Sequence, residues 1–388
     1  MAPTTTSFAA IDDALADVAA GKFVVLVDTE GDGSGVLTIA ADFTTPEAVN
    51  FILSYARGPL YLCLSHARCS QLGLSTIGSP LRSGATFTVL IEAKGGTDSS
   101  MSGHDRARTV RLAADPSSEP ADFVYPGNLP VLRARPGGIL ERARDTEAVV
   151  DLARLAGLNP AGAISLVLTE DGNIATGAKL FAFGERHGIK LVGIGDLVLH
   201  RRRTERIVER TVSVRMPTPH GEFRAVAFRD MLSDMHHVAL VKGDIDGADD
   251  VLVRVHTQCL LGDVFHSKDC DCAESLDAAL TRIESEGRGV VLYLSRRARG
   301  LGWLLRQTAE DGPRPAEELT DIRDWGVGIQ ILVELGIRRV RILTDTVRNV
   351  SGLELYGLTV VEQVPLRDGS GPPRREHHQQ LPLNDAVD

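Results

Sequence analysis

Cys259, Cys270 and Cys272 stand as C-x10-C-x-C inside the segment RVHTQCLLGDVFHSKDCDC, which starts at Arg254. This trio restricts the fold more than any other feature of the chain. The residues after Cys259 must leave and return so that three thiols meet, with Cys259 at the end of a strand and the Cys270–Cys272 pair on one turn. Soft thiolates suit zinc. Three protein ligands leave a fourth position for water, the arrangement of a catalytic rather than a structural site, so the trio points to metal-assisted hydrolysis. The competing reading is a set of unliganded core thiols. The single residue between the last two cysteines and the acidic neighbours Asp269 and Asp271 favour metal. His256 and His266 are close enough in sequence to be ligands, but His256 reads better as a substrate-contacting or core residue.

With 388 residues the chain has room for two domains, each with its own core. Hydrophobic residues make up 43% and charged residues 24%, the balance of a soluble globular protein. A net charge of -10 argues against general nucleic-acid binding. No apolar run reaches the length of a membrane span. The N-terminal residues lack a basic stretch followed by an apolar one, which argues against secretion. Five cysteines, an odd number, fit a reducing cytoplasm, where clustered cysteines bind metal more often than they pair. Cys63 and Cys69 read as small buried apolar residues.

Strand-like and helix-like segments alternate throughout, so the expected fold class is α/β (α+β). Helices are expected at Ile11–Ala20, Thr45–Ala56 (capped by Thr45, with Pro46 in the first position), Asp105–Ala114, Thr146–Leu155 and Ala178–His187. Strands are expected at Phe23–Val27, Ile164–Leu168 and Lys190–Gly193. At His200–Arg206 the composition turns to a charged stretch with no core pattern, and a domain boundary is placed there. This gives domains over 1–203 and 204–366, followed by a Gly, Pro, His and Gln rich tail, 367–388, expected to be disordered.

The cysteine segment resembles the RVHSECLTGD…CDC motif of GTP cyclohydrolase II. Met216–Ala225, His237–Ile245, Glu286–Leu294 and Gly357–Leu366 are similar to the same family, so the likeness covers about 205–366. It implies that Cys259, Cys270 and Cys272 hold one Zn2+ per chain. It also implies that zinc-activated water opens the imidazole ring of GTP, with release of formate and pyrophosphate. Asp321 takes the place of the proposed general base and Arg323 that of the proposed nucleophile toward the α-phosphorus. Arg254, His256 and Thr257 match phosphate-side contacts, Arg299 matches the arginine of the family's Q-E-G-R motif, and Thr344 the threonine of its T-N-N-P motif. Mg2+ is expected with the nucleotide phosphates, and a homodimer is implied.

Several positions depart from the family's pattern. Arg297 replaces a glutamate that accepts hydrogen bonds from the guanine edge, and a guanidinium only donates. Gln258 replaces a glutamate, Ser275 a glutamine, and Asn349 a basic residue. The segment between Leu301 and Asp321 is short and lacks a family tyrosine. Three readings stay open. The chain is a cyclohydrolase acting on GTP or a related purine nucleotide, a pseudoenzyme regulating an active homologue, or a secondary-metabolism relative.

The first half resembles 3,4-dihydroxy-2-butanone 4-phosphate synthase, an enzyme that uses magnesium and is often fused ahead of the cyclohydrolase. The likeness rests on Ala40–Phe51, Asp105–Val110, Leu132–Leu140 and Thr146–Gly157. Its catalytic pieces are changed. The acidic loop has become Asp28–Gly35, two family histidines are Asn128 and Asp145, a glutamate is Leu166, and a Thr-rich turn is Asp98–Ser102. A domain retained for its structure, without synthase activity, is the expectation.

Overall fold

The computed structural model describes residues 7–29, 31–78, 85–95, 101–268, 270–295, 322–344 and 357–366, with backbone alone at 322–325. Arg297, Arg299, Asp321, Asn349 and the 367–388 tail lie outside the described residues, as does the side chain of Arg323. Two compact units divide between Arg201 and Arg202.

The first unit runs α1 (Ile11–Ala19), β1 (Val24–Val27), β2 (Gly35–Ala40), α2 (Pro46–Phe51), β3 (Tyr61–Leu64), α3 (His66–Gln71), β4 (Ile91–Ala93) and α4 (Gly103–Ala114). It continues through β5 (Phe123–Leu129), β6 (Val131–Arg133), α5 (Asp145–Leu155), β7 (Ala161–Leu166), α6 (Ala178–His187), β8 (Lys190–Gly193) and α7 (Ile194–Thr204). A mixed sheet in the order β6-β3-β7-β2-β1-β8 is its frame. Both faces are covered: Val25 and Val27 enter one core, Val24 and Leu26 the other. That is why β1 is an unbroken apolar run and not an alternating one. Thr45 caps α2 through its hydroxyl, which accepts from the Ala48 amide at 3.2 Å. Cys63 and Cys69 are fully buried in these cores.

The division between the units falls inside the charged stretch at 200–206, but two of its arginines are not exposed as their composition suggests. Helix α7 extends through Thr204, and Arg201 and Arg202 are both buried. Arg201 donates to the buried Asp151 carboxylate at 2.6 Å and to the Gly137 carbonyl at 3.0 Å.

Glu147 on α5 is buried. Its Oε1 accepts from the Arg135 amide at 3.0 Å and from Arg142 at 3.1 Å, while Oε2 has no hydrogen-bond partner. Burial pushes the carboxyl from an ordinary 4.5 up to about 7, against the pull of Arg142. Between those values the native state holds a proton that the unfolded chain releases, so stability is lost as pH rises through the window. Glu147→Gln mimics the protonated carboxyl. Its melting temperature is expected to gain on wild type steadily from pH 5 to pH 8; a constant difference would show that Glu147 does not titrate there.

The second unit contains β9 (Val208–Thr218), β10 (Gly221–Asp230), β11 (His236–Lys242), β12 (Val251–Thr257), α8 (Leu260–Asp263), α9 (Cys272–Glu286), β13 (Gly289–Leu294), α10 (Ile322–Glu334), β14 (Arg339–Leu343) and β15 (Thr359–Val364). Its seven strands are ordered β15-β14-β12-β13-β11-β10-β9. The first four are parallel and the remainder antiparallel. Thr257 pairs with Leu294, so β12 and β13 end together. In open parallel sheets, ligands bind outside these carboxyl ends.

Candidate metal centre

The site is built where β12 ends. Cys259 follows that strand, α8 turns the chain, and Cys272 begins α9. One ligand atom from each of Cys259, Cys270 and Cys272 lies within 4.8 Å of the others. The Cys259 and Cys270 sulfurs are 3.9 Å apart. Zn–S bonds of about 2.3 Å at tetrahedral angles would set sulfurs about 3.8 Å apart, so the Cys259–Cys270 pair is spaced for zinc. Among the described residues this trio is the cluster of His, Cys, Asp or Glu side chains able to hold a metal. His266 is exposed and lies outside it.

Close approach by α8 is possible because residue 262 is glycine. A Cβ there would sit 2.6 Å from the Cys270 sulfur, 2.7 Å from the Cys272 Cβ and 3.4 Å from the Cys259 sulfur. In the absence of metal Cys259 opposes the ionisation of the other two thiols. Cys272 is raised by its hydrogen bond to Cys259, by burial and by both neighbouring sulfurs; Cys270 is raised chiefly by burial. A dication reverses this balance, since thiolate is the metal-binding form.

His256 does not face open solvent. Its ring is buried, stacks on Tyr293 with centroids 5.5 Å apart, and contacts Asp263 through Nε2 at 3.0 Å. Asp263 also accepts from the Cys259 amide at 2.8 Å and from the Tyr293 hydroxyl at 2.7 Å. Burial pushes the Asp263 carboxyl up, but these hydrogen bonds, led by that from His256, bring it below the usual range. Asp263 and Tyr293 were not singled out from sequence. A glycine-aspartate pair looks like a solvated turn, and a tyrosine in an apolar strand looks like core; the short spacing from Cys259 to Asp263 was the one available signal.

The remaining candidates that the structure describes border the same edge. Arg254, half-buried on β12, donates to the Leu343 carbonyl of β14 at 3.0 Å. Thr257 closes β12, and the Gln258 amide donates to the Leu294 carbonyl at 2.9 Å. The Thr344 amide donates to the Val364 carbonyl at 2.9 Å. Ser275 is buried in the first turn of α9, directed into the protein interior. Backbone hydrogen bonding thus fixes Thr257, Gln258 and Thr344 at the ends of adjacent strands.

Residues 12–200 match the family model of 3,4-dihydroxy-2-butanone 4-phosphate synthase, and residues 209–365 match that of GTP cyclohydrolase II. The riboflavin biosynthesis protein RibBA of Mycobacterium marinum is 44% identical over 381 residues, covering 93% of this chain and 90% of the relative. The chain belongs to the RibBA family. RibBA of Rhodococcus jostii is 45% identical over 384 residues, with 93% and 92% covered. Among solved structures, RibBX, a two-domain 3,4-dihydroxy-2-butanone 4-phosphate synthase from A. baumannii, superposes with a TM-score of 0.70 at 32% identity. It covers 92% of this chain and 100% of its own. The RibBA relationship makes the protein a hydrolase of GTP cyclohydrolase II type, in a family that acts on GTP in riboflavin biosynthesis. The mixed α/β architecture of both units accords with it. Among the described residues no helix is long and apolar enough to cross a membrane.

Proposed function

We propose that the second unit holds one zinc ion through Cys259, Cys270 and Cys272 and opens the imidazole ring of GTP or a related purine nucleotide, releasing formate and pyrophosphate. The 3.9 Å sulfur separation within a three-thiol cluster carries this reading. Zinc, when bound, supplies the Lewis acidity that activates water near neutral pH. The chain's own residues bind and orient the nucleotide. Arg254, Thr257, Arg299 and Thr344 take the phosphate side; Gln258, Ser275, Arg297 and Asn349 stand at the altered substrate positions. Asp321 moves the proton, and Arg323 acts toward the α-phosphorus. Arginines suit this task because their fork matches phosphate oxygens. Mg2+ accompanies the phosphates. The His256 ring, being buried against Tyr293, reaches substrate less directly than its sequence position suggests.

Formate release by the zinc-loaded full chain, screened over purine and pyrimidine nucleotides, tests the reading. Release from at least one purine nucleotide, abolished by Cys272→Ser, is the expected result. A zinc-loaded chain that releases none would instead favour a non-catalytic partner of an active homologue.

The first unit is proposed to lack synthase activity. Asp28, in the altered acidic loop, is engaged by the Arg144 guanidinium, which competes with any divalent cation for that carboxylate. Asn128, at a family histidine position, donates to Glu92 at 3.2 Å. No conversion of ribulose 5-phosphate by the full chain with Mg2+ is expected, and measurable conversion would contradict it.

A homodimer is the proposed assembly. Strand β9 is an edge strand whose middle is exposed on both faces, with Val212, Val214 and Met216 aligned on one. An antiparallel pairing with a second copy about Val212 would set Glu209 opposite Arg215 twice.

A further inference from the structure

We infer that Asp263 is the positioning residue of the metal centre, a carboxylate that touches no sulfur yet fixes the geometry in which the thiols meet. The inference rests on the zinc reading above. Three donors converge on this one buried side chain, and each comes from a different part of the site. The Cys259 amide belongs to a proposed ligand, His256 to β12, and the Tyr293 hydroxyl to β13. The Asp263 amide in turn donates to the Cys259 carbonyl at 2.7 Å, so Cys259 and Asp263 bracket each other through side chain and backbone. A simple turn cap would need only the Cys259 contact. The two further donors tie the thiol-bearing loop to the ends of the adjacent strands β12 and β13.

Chemistry makes the carboxylate specific. All three partners donate, and an ionised carboxylate offers only acceptors. His256 therefore carries its proton on Nε2. An asparagine has one carbonyl oxygen for the three donors, and its amide N–H can face His256 only after that ring moves its proton to Nδ1, so the network has to rearrange. The preceding residue of the same short helix, Gly262, lies so close to the other two cysteines that a Cβ on it would meet the Cys270 sulfur and the Cys272 Cβ. A shift of α8 by a few tenths of an ångström would therefore move Cys259 relative to the other two sulfurs. Outer-shell groups of this kind typically control metal affinity by about 10–100-fold.

Asp263→Asn and Tyr293→Phe, made in the full-length chain, test the role. For each, zinc release to a chromophoric chelator is followed, together with the thiolate-to-cobalt charge-transfer band of the Co2+-substituted protein and thermal melting. Asp263→Asn is expected to release zinc about 10–100-fold faster and to shift the cobalt band. Tyr293→Phe removes one donor of three and should move both readouts a few-fold in the same direction. A purely structural carboxylate would lower the melting temperature but leave the folded protein's cobalt spectrum and zinc release as in wild type, and that result overturns the inference. Should Asp263→Asn not fold, wild-type behaviour of Tyr293→Phe overturns it equally. A wild-type chain that takes up no zinc overturns the zinc reading itself, and this inference with it.

Discussion

Replacing Gly262 with alanine is expected to weaken zinc binding by about 100-fold while both units stay folded. The added methyl would lie 2.6 Å from the Cys270 sulfur and 2.7 Å from the Cys272 Cβ, distances that real Cβ atoms do not adopt. Something must give. The backbone of α8 is bracketed to Cys259 and tied to the strand ends through Asp263, whereas the thiols are half-exposed at Cys270 and Cys272. The sulfurs therefore move, by several tenths of an ångström. Metal sites keep their distances to within about 0.2 Å, so the open tetrahedral geometry is lost. Competition with a calibrated chelator measures the change. Wild-type affinity in a folded Gly262→Ala protein would mean that the thiols adapt freely and that the preformed spacing is incidental.

The largest effect on stability is expected from Arg201→Ala. Asp151 is buried, its Oδ2 accepting from Arg201 at 2.6 Å and from the Ile139 amide at 2.7 Å. Burial pushes the Asp151 carboxyl up, and Arg201 is the foremost group pulling it back. Without the guanidinium the buried carboxylate keeps only the Ile139 amide and the half-exposed Arg154, 3.7 Å from its other oxygen, and breaking a buried pair in this way costs about 3–5 kcal/mol. The first unit should then melt on the order of 10 °C lower. Adding Asp151→Asn should recover part of the loss, since no charge remains to be stranded. A single-variant loss below about 1 kcal/mol would show the pair to be solvated, as exposed ion pairs are.

Helix and strand periodicity made much of the first unit legible. The expected helix at Ala178–His187 and strand at Lys190–Gly193 coincide with α6 and β8. Other expected elements shift by a few residues at their ends: α1 stops at Ala19, and β7 covers Ala161–Leu166 in place of Ile164–Leu168. Burial of Arg201 and Arg202 within the charged stretch at 200–206 was not legible, because charge reads as exposure. The Arg201 partner, Asp151, is fifty residues away and visible only in three dimensions. The thiol cluster was legible because its ligands are close in sequence and soft in chemistry. Asp263 and Tyr293 were not, and His256 read only as a substrate-contacting or core residue, since the convergence of the three depends on β12 and β13 lying side by side. At three residues, β6 is too short for a pattern to separate it from loop.

Zinc content and X-ray absorption at the zinc edge of the purified full-length protein bear most directly on the central claim, an open three-thiolate zinc site. The account predicts about one zinc per chain, with three sulfurs at about 2.3 Å and lighter oxygen or nitrogen scatterers at about 2.0 Å completing the shell. Absence of stoichiometric zinc, or a closed shell of four sulfurs, would contradict it.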